Sequence, residues 1–161
     1  MKAMTAIIRK ARASDLSDLT KLLGELFSIE RDFAPNSRRQ RRGLKLILSA
    51  PTQWRILVAE LGGRVVGMCS IHQLISTAEG ATSGLIEDVI VQERYRGMGI
   101  GGRLLAGAEK WALSKGMHRL QLLTERNNSK ALAFYARSGW SKTHLVCLRK
   151  TVSRHKKWSR F

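Results

Sequence analysis

The segment from Val91 to Leu105, VQERYRGMGIGGRLL, joins an apolar, strand-like run to an amphipathic, helix-like run through a loop with four glycines. Because glycine in a helix interior costs roughly 0.5–1 kcal/mol relative to alanine, glycines at a helix start indicate a backbone that comes close to a ligand. A strand, a loop and a helix form the first half of a crossover, which predicts an α/β fold with parallel strands. Ligands of open α/β sheets bind at the carboxyl ends of the strands, where this loop lies.

The hydrophobic pattern on both sides of the loop predicts the element order β-α-α-β-β-β-α-β-α-β. Ser14 is the expected N-cap of the first helix, and LGGR predicts a tight hairpin between the second and third strands. The following helices are expected in SRRQRRGLKLILSA, in GRLLAGAEKWALSKG and between Asn128 and Gly139, and a last strand is expected in SKTHLVCLRK. The antiparallel hairpin followed by crossovers predicts a mixed sheet with helices on both faces.

The length and composition predict one globular domain over residues 1–161, in which residues 151–161 form a basic tail. No apolar run approaches the roughly 18 residues that a membrane span needs, and the start lacks the features of a signal peptide. We therefore expect a cytoplasmic protein without membrane contact. Cys69 and Cys147 fall in strand-like runs and are expected to be buried thiols rather than a disulfide.

The net charge of +17 is concentrated in two segments without acidic residues, RRQRR and the C-terminal end. Such segments attract polyanions such as nucleic acid, and they also serve as solvated, solubilising charge. Both interpretations remain open for the tail and for the four arginines of the first segment, Arg38, Arg39, Arg41 and Arg42.

The spacing of Gly97, Gly99 and Gly102 fits the dinucleotide-binding pattern G-x-G-x-x-G, with Glu125 some twenty residues further on. The position in the chain argues against that assignment, because about ninety residues precede the loop and too few follow to complete a doubly wound sheet. A Walker loop is excluded because no Gly-Lys-Ser/Thr follows the glycines. What remains is a helix N-terminus whose amides favour a phosphate or pyrophosphate, or a tight turn without ligand.

Two motifs make the chain resemble the GNAT superfamily of acyl-CoA-dependent N-acyltransferases. RYRGMGIG is similar to the family's Arg/Gln-x-x-Gly-x-Gly/Ala loop, and NNSKALAFYARSGW is similar to its second motif. The resemblance implies a mostly antiparallel mixed sheet whose parallel strands splay at the cofactor site. It also implies an acetyl-CoA-dependent N-acetyltransferase that acts by direct transfer in a ternary complex.

The resemblance implies that the loop amides cradle the pyrophosphate of coenzyme A, because side chains would hold the phosphates away. The backbone from Val89 to Val91 would bind the pantetheine arm, which needs a local interruption of the sheet. Asn128 would contact this arm, cap the last helix, or do both. The implied cofactor-binding residues are Val89, Ile90, Val91, Arg94, Arg96, Gly97, Met98, Gly99, Ile100, Gly101, Gly102, Asn128 and Tyr135.

The chemistry needs a base for the protonated amine and a proton donor for the departing thiolate. The resemblance makes Glu87 the candidate base, directly or through water. Asp88 is expected on the other face, where it would orient the substrate, and the alternative for both is an exposed strand edge. Tyr135 is similar to the family's thiolate-protonating tyrosine, and its alternative role is core packing.

The expected partner is a small-molecule amine, with a homodimer as the candidate assembly and no metal, since the four histidines lack metal-ligand spacing. Two alternatives stay open. The first is a GNAT-fold protein acting on a protein or peptide amine, and the second is one that binds nucleic acid or the ribosome through its basic segments.

Overall fold

The computed structural model describes residues 5–152, in which five strands form one sheet whose spatial order follows the chain order. The first four strands pair antiparallel, and the last two pair parallel. This confirms a mixed, mostly antiparallel sheet. The strands are β1 (Ile7–Lys10), β2 (Trp54–Leu61), β3 (Arg64–Ser76), β4 (Ala81–Val91) and β5 (Leu120–Leu122).

Four helices cover the two faces of the sheet: α1 (Leu16–Ile29), α2 (Ser37–Ser49), α3 (Ile100–Ser114) and α4 (Ser129–Arg137). On one face, α3 buries its apolar stripe against the sheet, and aromatic residues of α4 pack against the same cluster. On the other face, leucines of α1 and α2 cover β2 and β3. The expected helices on both faces are therefore confirmed, and so is the hairpin, whose Gly62 and Gly63 have positive φ angles of 56° and 76°.

The central strand β4 is interrupted next to its carboxyl end. Ser70 of β3 pairs with Glu87 and Met68 pairs with Ile90, so that β4 carries one residue more than β3 between these pairs. Asp88 lies in this bulge with a φ of 53°. On its other edge β4 pairs with β5 no further than Ile86. Bulges re-aim side chains, and beyond Ile86 the edge of β4 that faces β5 has no strand partner, while Ile90 and Val91 still pair with β3.

The start of α1 differs from the prediction, because Ser14 lies in a 3₁₀ turn and the residue before the helix is Asp15. The Asp15 carboxylate accepts hydrogen bonds from the backbone amide of Arg12 at 2.7 Å and from the Arg9 guanidinium at 2.7 and 2.9 Å. The Arg9 hydrogen bond holds the pKa of Asp15 below its usual range. A partly buried ion pair with β1, invisible in a local pattern, therefore sets this end of the helix.

The predicted last strand does not form: residues 141–150 contain no strand, and Leu145 and Leu148 are 85% and 90% exposed. Strand propensity is expressed only where a neighbouring strand pairs with the segment, and no described strand does so. Cys147 is consequently exposed, against expectation, whereas Cys69 is buried and desolvation raises the pKa of its thiol to about 12. Most of the predicted basic tail, residues 153–161, lies outside the described residues.

Candidate functional site

A cleft of about 1090 Å³ opens where β4 and β5 separate, and it extends from the glycine-rich loop to the end of α1. Its lining includes most of the residues that the sequence predicted for the cofactor and the chemistry. Those brought together are Glu87, Asp88, Val89, Ile90, Val91, Arg96, Gly97, Gly99, Ile100, Gly101, Gly102, Asn128 and Tyr135. Residues from three separate parts of the chain therefore meet in one cavity.

The glycine-rich loop, defined here as residues 96–102, takes a conformation that requires glycine. Gly97 and Gly99 have positive φ angles of 78° and 74°, and Gly99 directly precedes α3. An added Cβ at Gly97, Gly99 or Gly102 would meet no atom within 4 Å, so the space beside the loop is open. The Arg96 Nε donates to the Val91 carbonyl at 2.9 Å and ties the loop to the end of β4. An open cradle at a helix N-terminus fits a pyrophosphate group.

Two of the predicted cofactor residues do not line the cleft. The Arg94 guanidinium lies 4.9 Å from the centroid of the Tyr95 ring, and its Nη2 is 3.5 Å from the Gln92 Oε1. Met98 is 56% exposed. Tyr95 holds the Arg94 side chain by stacking, and sequence spacing alone did not reveal this competing contact.

The two acidic residues of β4 have different environments. Glu87 is exposed, while Asp88 accepts a hydrogen bond from the Ser70 hydroxyl at 3.0 Å. Burial raises the pKa of Asp88 to about 6, and the Glu87 charge adds to this effect. Asp88 was expected on the face opposite to Glu87. Because of the bulge, both side chains instead line the same cleft.

Asp88 belongs to a group of four carboxylates from three parts of the chain, here called the acidic cluster: Glu30, Glu87, Asp88 and Glu125. Burial and the charges of Asp88 and Glu125 raise the pKa of Glu30. Altogether the cleft holds six of the twelve acidic residues of a chain with a net charge of +17. Among residues 5–152 none of the six forms a salt bridge, although five of the remaining acids do. The acidic cluster therefore keeps its negative potential.

Tyr135 and Asn128 lie on the opposite wall, at α4. Burial raises the pKa of Tyr135 to about 12, so its hydroxyl is protonated at neutral pH. Its ring packs against Phe134 and Trp140. The Asn128 side chain accepts a hydrogen bond from the Ala131 amide at 3.0 Å, which confirms it as the N-cap of α4 while it also lines the cleft.

The sequence did not predict the contribution of α1 to the cleft, which comes from five residues at its end: Glu25, Leu26, Ser28, Ile29 and Glu30. Nor did it predict the contribution of Leu122, the last residue of β5, and of the three residues that follow it up to Glu125. The two segments touch, because the Arg31 amide donates to the Glu125 Oε1 at 2.7 Å. The polar residues Glu25 and Ser28 near the end of α1 were the available signal, but polar residues are also usual near helix ends.

The family assignment agrees with this geometry. The model of the acetyltransferase (GNAT) family matches residues 16–140, so the chain belongs to this family and is an N-acetyltransferase. Members of the family generally take the acetyl group from acetyl-CoA. No described helix is long and apolar enough to span a membrane.

Individual relatives agree with the family assignment. The chain is 30% identical over 138 residues to the aminoalkylphosphonate N-acetyltransferase of Salmonella typhimurium, covering 85% of this chain and 86% of the relative. It is 31% identical over 141 residues to the glucosamine 6-phosphate N-acetyltransferase of Trypanosoma brucei brucei, covering 83% and 87%. The fold is similar to that of a possible acetyltransferase from Clostridium difficile 630, with a TM-score of 0.82, 20% identity and coverage of 93% and 99%.

Proposed function

We propose that this chain transfers an acetyl group from acetyl-CoA to the primary amine of a small molecule, by direct attack in a ternary complex. The observation that carries the proposal is a single cleft with a phosphate-compatible loop at one end and a partly desolvated carboxylate, Asp88, at the other. The buried Cys69, with its raised pKa, is a poor nucleophile, which favours direct transfer over an acyl-enzyme.

The donor would lie along the loop and the open edge of β4. The amides of residues 96–102 would hold its pyrophosphate, and the backbone from Val89 to Val91, beside the bulge, would hold its pantetheine arm. Asn128 would contact the same arm from α4. Bound acetyl-CoA supplies the acetyl group as an activated thioester, and every proton that must move is handled by side chains of this chain.

The base is Asp88 in our proposal, which revises the expectation for Glu87. A base should have a pKa close to the working pH, and the pKa of Asp88 is raised to about 6. The exposed Glu87 lies beside it and adds to the negative potential that keeps this pKa high. The Asp88 Oδ atoms would accept the proton of the incoming ammonium, and the Ser70 hydroxyl at 3.0 Å orients the carboxylate.

The proton donor is Tyr135, whose pKa of about 12 keeps its Oη protonated. After the amine has attacked the thioester carbonyl, the hydroxyl would give this proton to the sulfur of coenzyme A as the C–S bond breaks, and the resulting tyrosinate would take up the second proton that the nitrogen loses on becoming an amide. The contacts of the ring with Phe134 and Trp140 fix its position, and Phe134 itself lies against the loop at Gly101, where an added Cβ would come within 3.0 Å. The packing of α4 against α3 thereby connects the proton donor to the loop.

The acceptor would enter as an ammonium ion, attracted by the acidic cluster. Carboxylates without cationic partners raise the local concentration of a cation. The two relatives named for their substrates act on small amines, which supports a small molecule over a protein terminus.

The deciding experiment is to measure the melting temperature with coenzyme A and acetyl-CoA, followed by thiol detection with a panel of small amines. A ligand at 100 times its Kd should stabilise the protein by about 2.7 kcal/mol. No thermal shift and no calorimetric heat at millimolar ligand would contradict the proposal. A calorimetric binding signal with coenzyme A or acetyl-CoA, without release of free thiol with any amine of the panel, would show that the chain binds the cofactor but does not transfer the acetyl group.

A second candidate function, polyanion binding, rests on the exposed arginines of α2. Arg38, Arg39, Arg41 and Arg42 are exposed, and none forms a salt bridge with the described residues. Binding through them should weaken steeply with salt. Salt-dependent RNA or DNA binding that survives substitution of all four by glutamine and removal of residues 151–161 would exclude these segments as the cause.

A further inference from the structure

A second cavity, of about 450 Å³, lies between the end of α1 and the start of α2, and we call it the α1–α2 pocket. Phe27 and Phe33, whose ring centroids are 5.5 Å apart, form part of its wall. Its polar groups come from Asp32, Asn36, Arg39 and Gln40, and the Asn36 Oδ1 accepts a hydrogen bond from the Arg39 amide at 3.0 Å. The pocket therefore combines an aromatic wall with charged and hydrogen-bonding groups, which is the composition of a small-ligand site.

Gln40 is the unusual member of this pocket. Its side chain is only 7% exposed, and its Nε2 has no hydrogen-bond partner among the described residues. A buried donor without a partner is destabilising, and native proteins retain few of them. Gln40 lines the cavity, so a turn of its side chain toward the cavity would let a ligand oxygen accept this hydrogen bond.

The charge of the pocket indicates whether the ligand oxygen that binds there is anionic or neutral. Arg39 forms no salt bridge with the described residues, and the first turn of α2 holds no acidic residue. Asp32 is offset by Arg149, whose Nη2 lies 3.5 Å from the Asp32 Oδ1 and whose guanidinium stacks on Phe33. The net charge is thus positive, and the helix N-terminus adds partial positive charge. An anionic oxygen is favoured over a neutral carbonyl.

Close neighbours in the chain line the two cavities: Glu30 lines the cleft and Asp32 lines the α1–α2 pocket, and two residues of chain span at most about 7 Å. A small molecule that bridges the two cavities would carry an amine at one end, for the acidic cluster, and an oxyanion at the other, for Arg39 and Gln40.

We propose that the α1–α2 pocket binds an oxyanion of the acceptor, such as a phosphate, phosphonate or carboxylate, while the acceptor's amine lies at the acidic cluster. This inference rests on the proposed function and narrows its substrate class to amines that carry an anionic group. Arg39 and Gln40 are then specificity residues that act on binding and not on the chemical step.

The test compares two amine pairs that differ only in the oxyanion: glucosamine 6-phosphate with glucosamine, and 2-aminoethylphosphonate with ethanolamine. The variants are Arg39→Gln and Gln40→Leu, and Lys45→Gln is the control because it removes a positive charge from an exposed position of the same helix outside the pocket. In the parent protein the anionic member should have the lower KM. Each test variant should raise the KM of the anionic amine by about tenfold. Its kcat, and the KM of the neutral amine, should stay unchanged. The control variant should change none of these constants.

The melting temperature of Gln40→Leu tests the role of Gln40 independently of the KM values. Removing a buried, unpartnered donor without creating a cavity is neutral or stabilising, so Gln40→Leu should melt at the same temperature as the parent or higher. It should also lose the thermal shift that glucosamine 6-phosphate produces without acetyl-CoA. A marked fall in melting temperature would show that the amide already has a structural partner, and the proposal would be wrong.

The outcomes separate this inference from the proposed function. Thermal protection by the anionic amines that both variants abolish, without acetyl transfer to any amine, would support the pocket and contradict the function. Acetyl transfer with equal KM for both members of each pair would support the function and overturn the pocket. If inorganic phosphate protects as well as glucosamine 6-phosphate does, and the two KM values remain equal, the pocket binds a free anion and the assignment to the acceptor is wrong.

Discussion

The two ends of the cleft are built in opposite ways. The loop end comes from one continuous segment, residues 96–102, and the recognition groups that we propose for it are backbone amides beside glycines with positive φ. The acidic end comes from α1, β4 and the segment after β5, and the recognition groups that we propose for it are side chains. Recognition by backbone leaves a compact glycine pattern in the sequence, whereas recognition by side chains from distant segments leaves isolated acids that resemble surface residues.

The two ends also differ in charge. The loop presents a helix N-terminus and Arg96, which suit an anionic donor. The acidic cluster presents four carboxylates without cationic partners among the described residues. In our proposal, a cleft with these two ends orients an anionic donor and the ammonium group of the acceptor head to head. The following experiments perturb the acidic end, the residue between the two ends, and the loop end.

The largest effect is expected at the acidic end, from Asp88→Asn. Asparagine tolerates the positive φ of this bulge position, so the fold should persist while the base is lost. Since general base catalysis is typically worth 10²–10⁴-fold, kcat should fall by about that factor in steady-state assays. Glu87→Gln is the matched control and should cost far less.

The pH profile supplies a further criterion for Asp88. Protonation of a base with a pKa near 6 should make kcat/KM decline below about pH 6 in the parent enzyme, and Asp88→Asn should lose this limb. A larger deficit in Glu87→Gln than in Asp88→Asn would return the base to Glu87.

The next effect is expected between the two ends, from Tyr135→Phe. If the Oη protonates the leaving thiolate, kcat should fall by at least about tenfold, near the low end of the range because a thiol is a moderately good leaving group. Acetyl-CoA affinity and melting temperature should be retained, since only one oxygen is removed. An unchanged kcat under conditions where chemistry limits turnover would assign Tyr135 to packing alone.

At the loop end, Gly102→Ala should weaken acetyl-CoA binding by about tenfold, because a methyl group would enter the open space beside the loop. Gly102 lies within α3 and has no positive φ, so the melting temperature of the Gly102→Ala protein should not fall. Gly99→Ala is the comparison: its φ of 74° makes alanine strained, and both stability and binding should suffer. Calorimetry and thermal melts measure the two effects. Normal binding by folded Gly102→Ala would mean that the loop is only a turn.

The smallest effect is a stability difference at the acidic end. Because the folded state raises the pKa of Asp88 to about 6, the folded protein binds this proton more tightly than the unfolded chain does. The resulting stabilisation is present at low pH and is lost as pH rises through about 6, and the raised pKa of Glu30 acts in the same direction. The Asp88→Asn protein should therefore have a higher melting temperature than the parent at pH 7. In a domain of this size, each kcal/mol gained in unfolding free energy raises the melting temperature by roughly 2–4 °C. Equal melting temperatures at pH 5 and 7 in both proteins would contradict the desolvated state of Asp88.

Much of the fold could be predicted because its signals are local. The LGGR hairpin, the apolar stripe of α3 and the Asn128 cap each depend on residues a few positions apart, and the two GNAT motifs identify the family. The family resemblance, which rests on the same loop, named the residues that line the loop end of the cleft from Arg96 to Gly102, except that Arg94 and Met98 lie outside the lining.

Only the tertiary structure decided the rest. The bulge at Asp88 depends on the register between β3 and β4, and because of it Asp88 lines the cleft beside Glu87 instead of lying on the opposite face. The ion pair of Arg9 with Asp15 replaced the predicted cap at Ser14, and the segment from Ser141 to Lys150 stayed unpaired although its sequence favours a strand. In each case the energy comes from a partner distant in sequence: burial, pairing and pKa depend on which segments meet in space, and the local pattern determines only which conformations each segment can adopt.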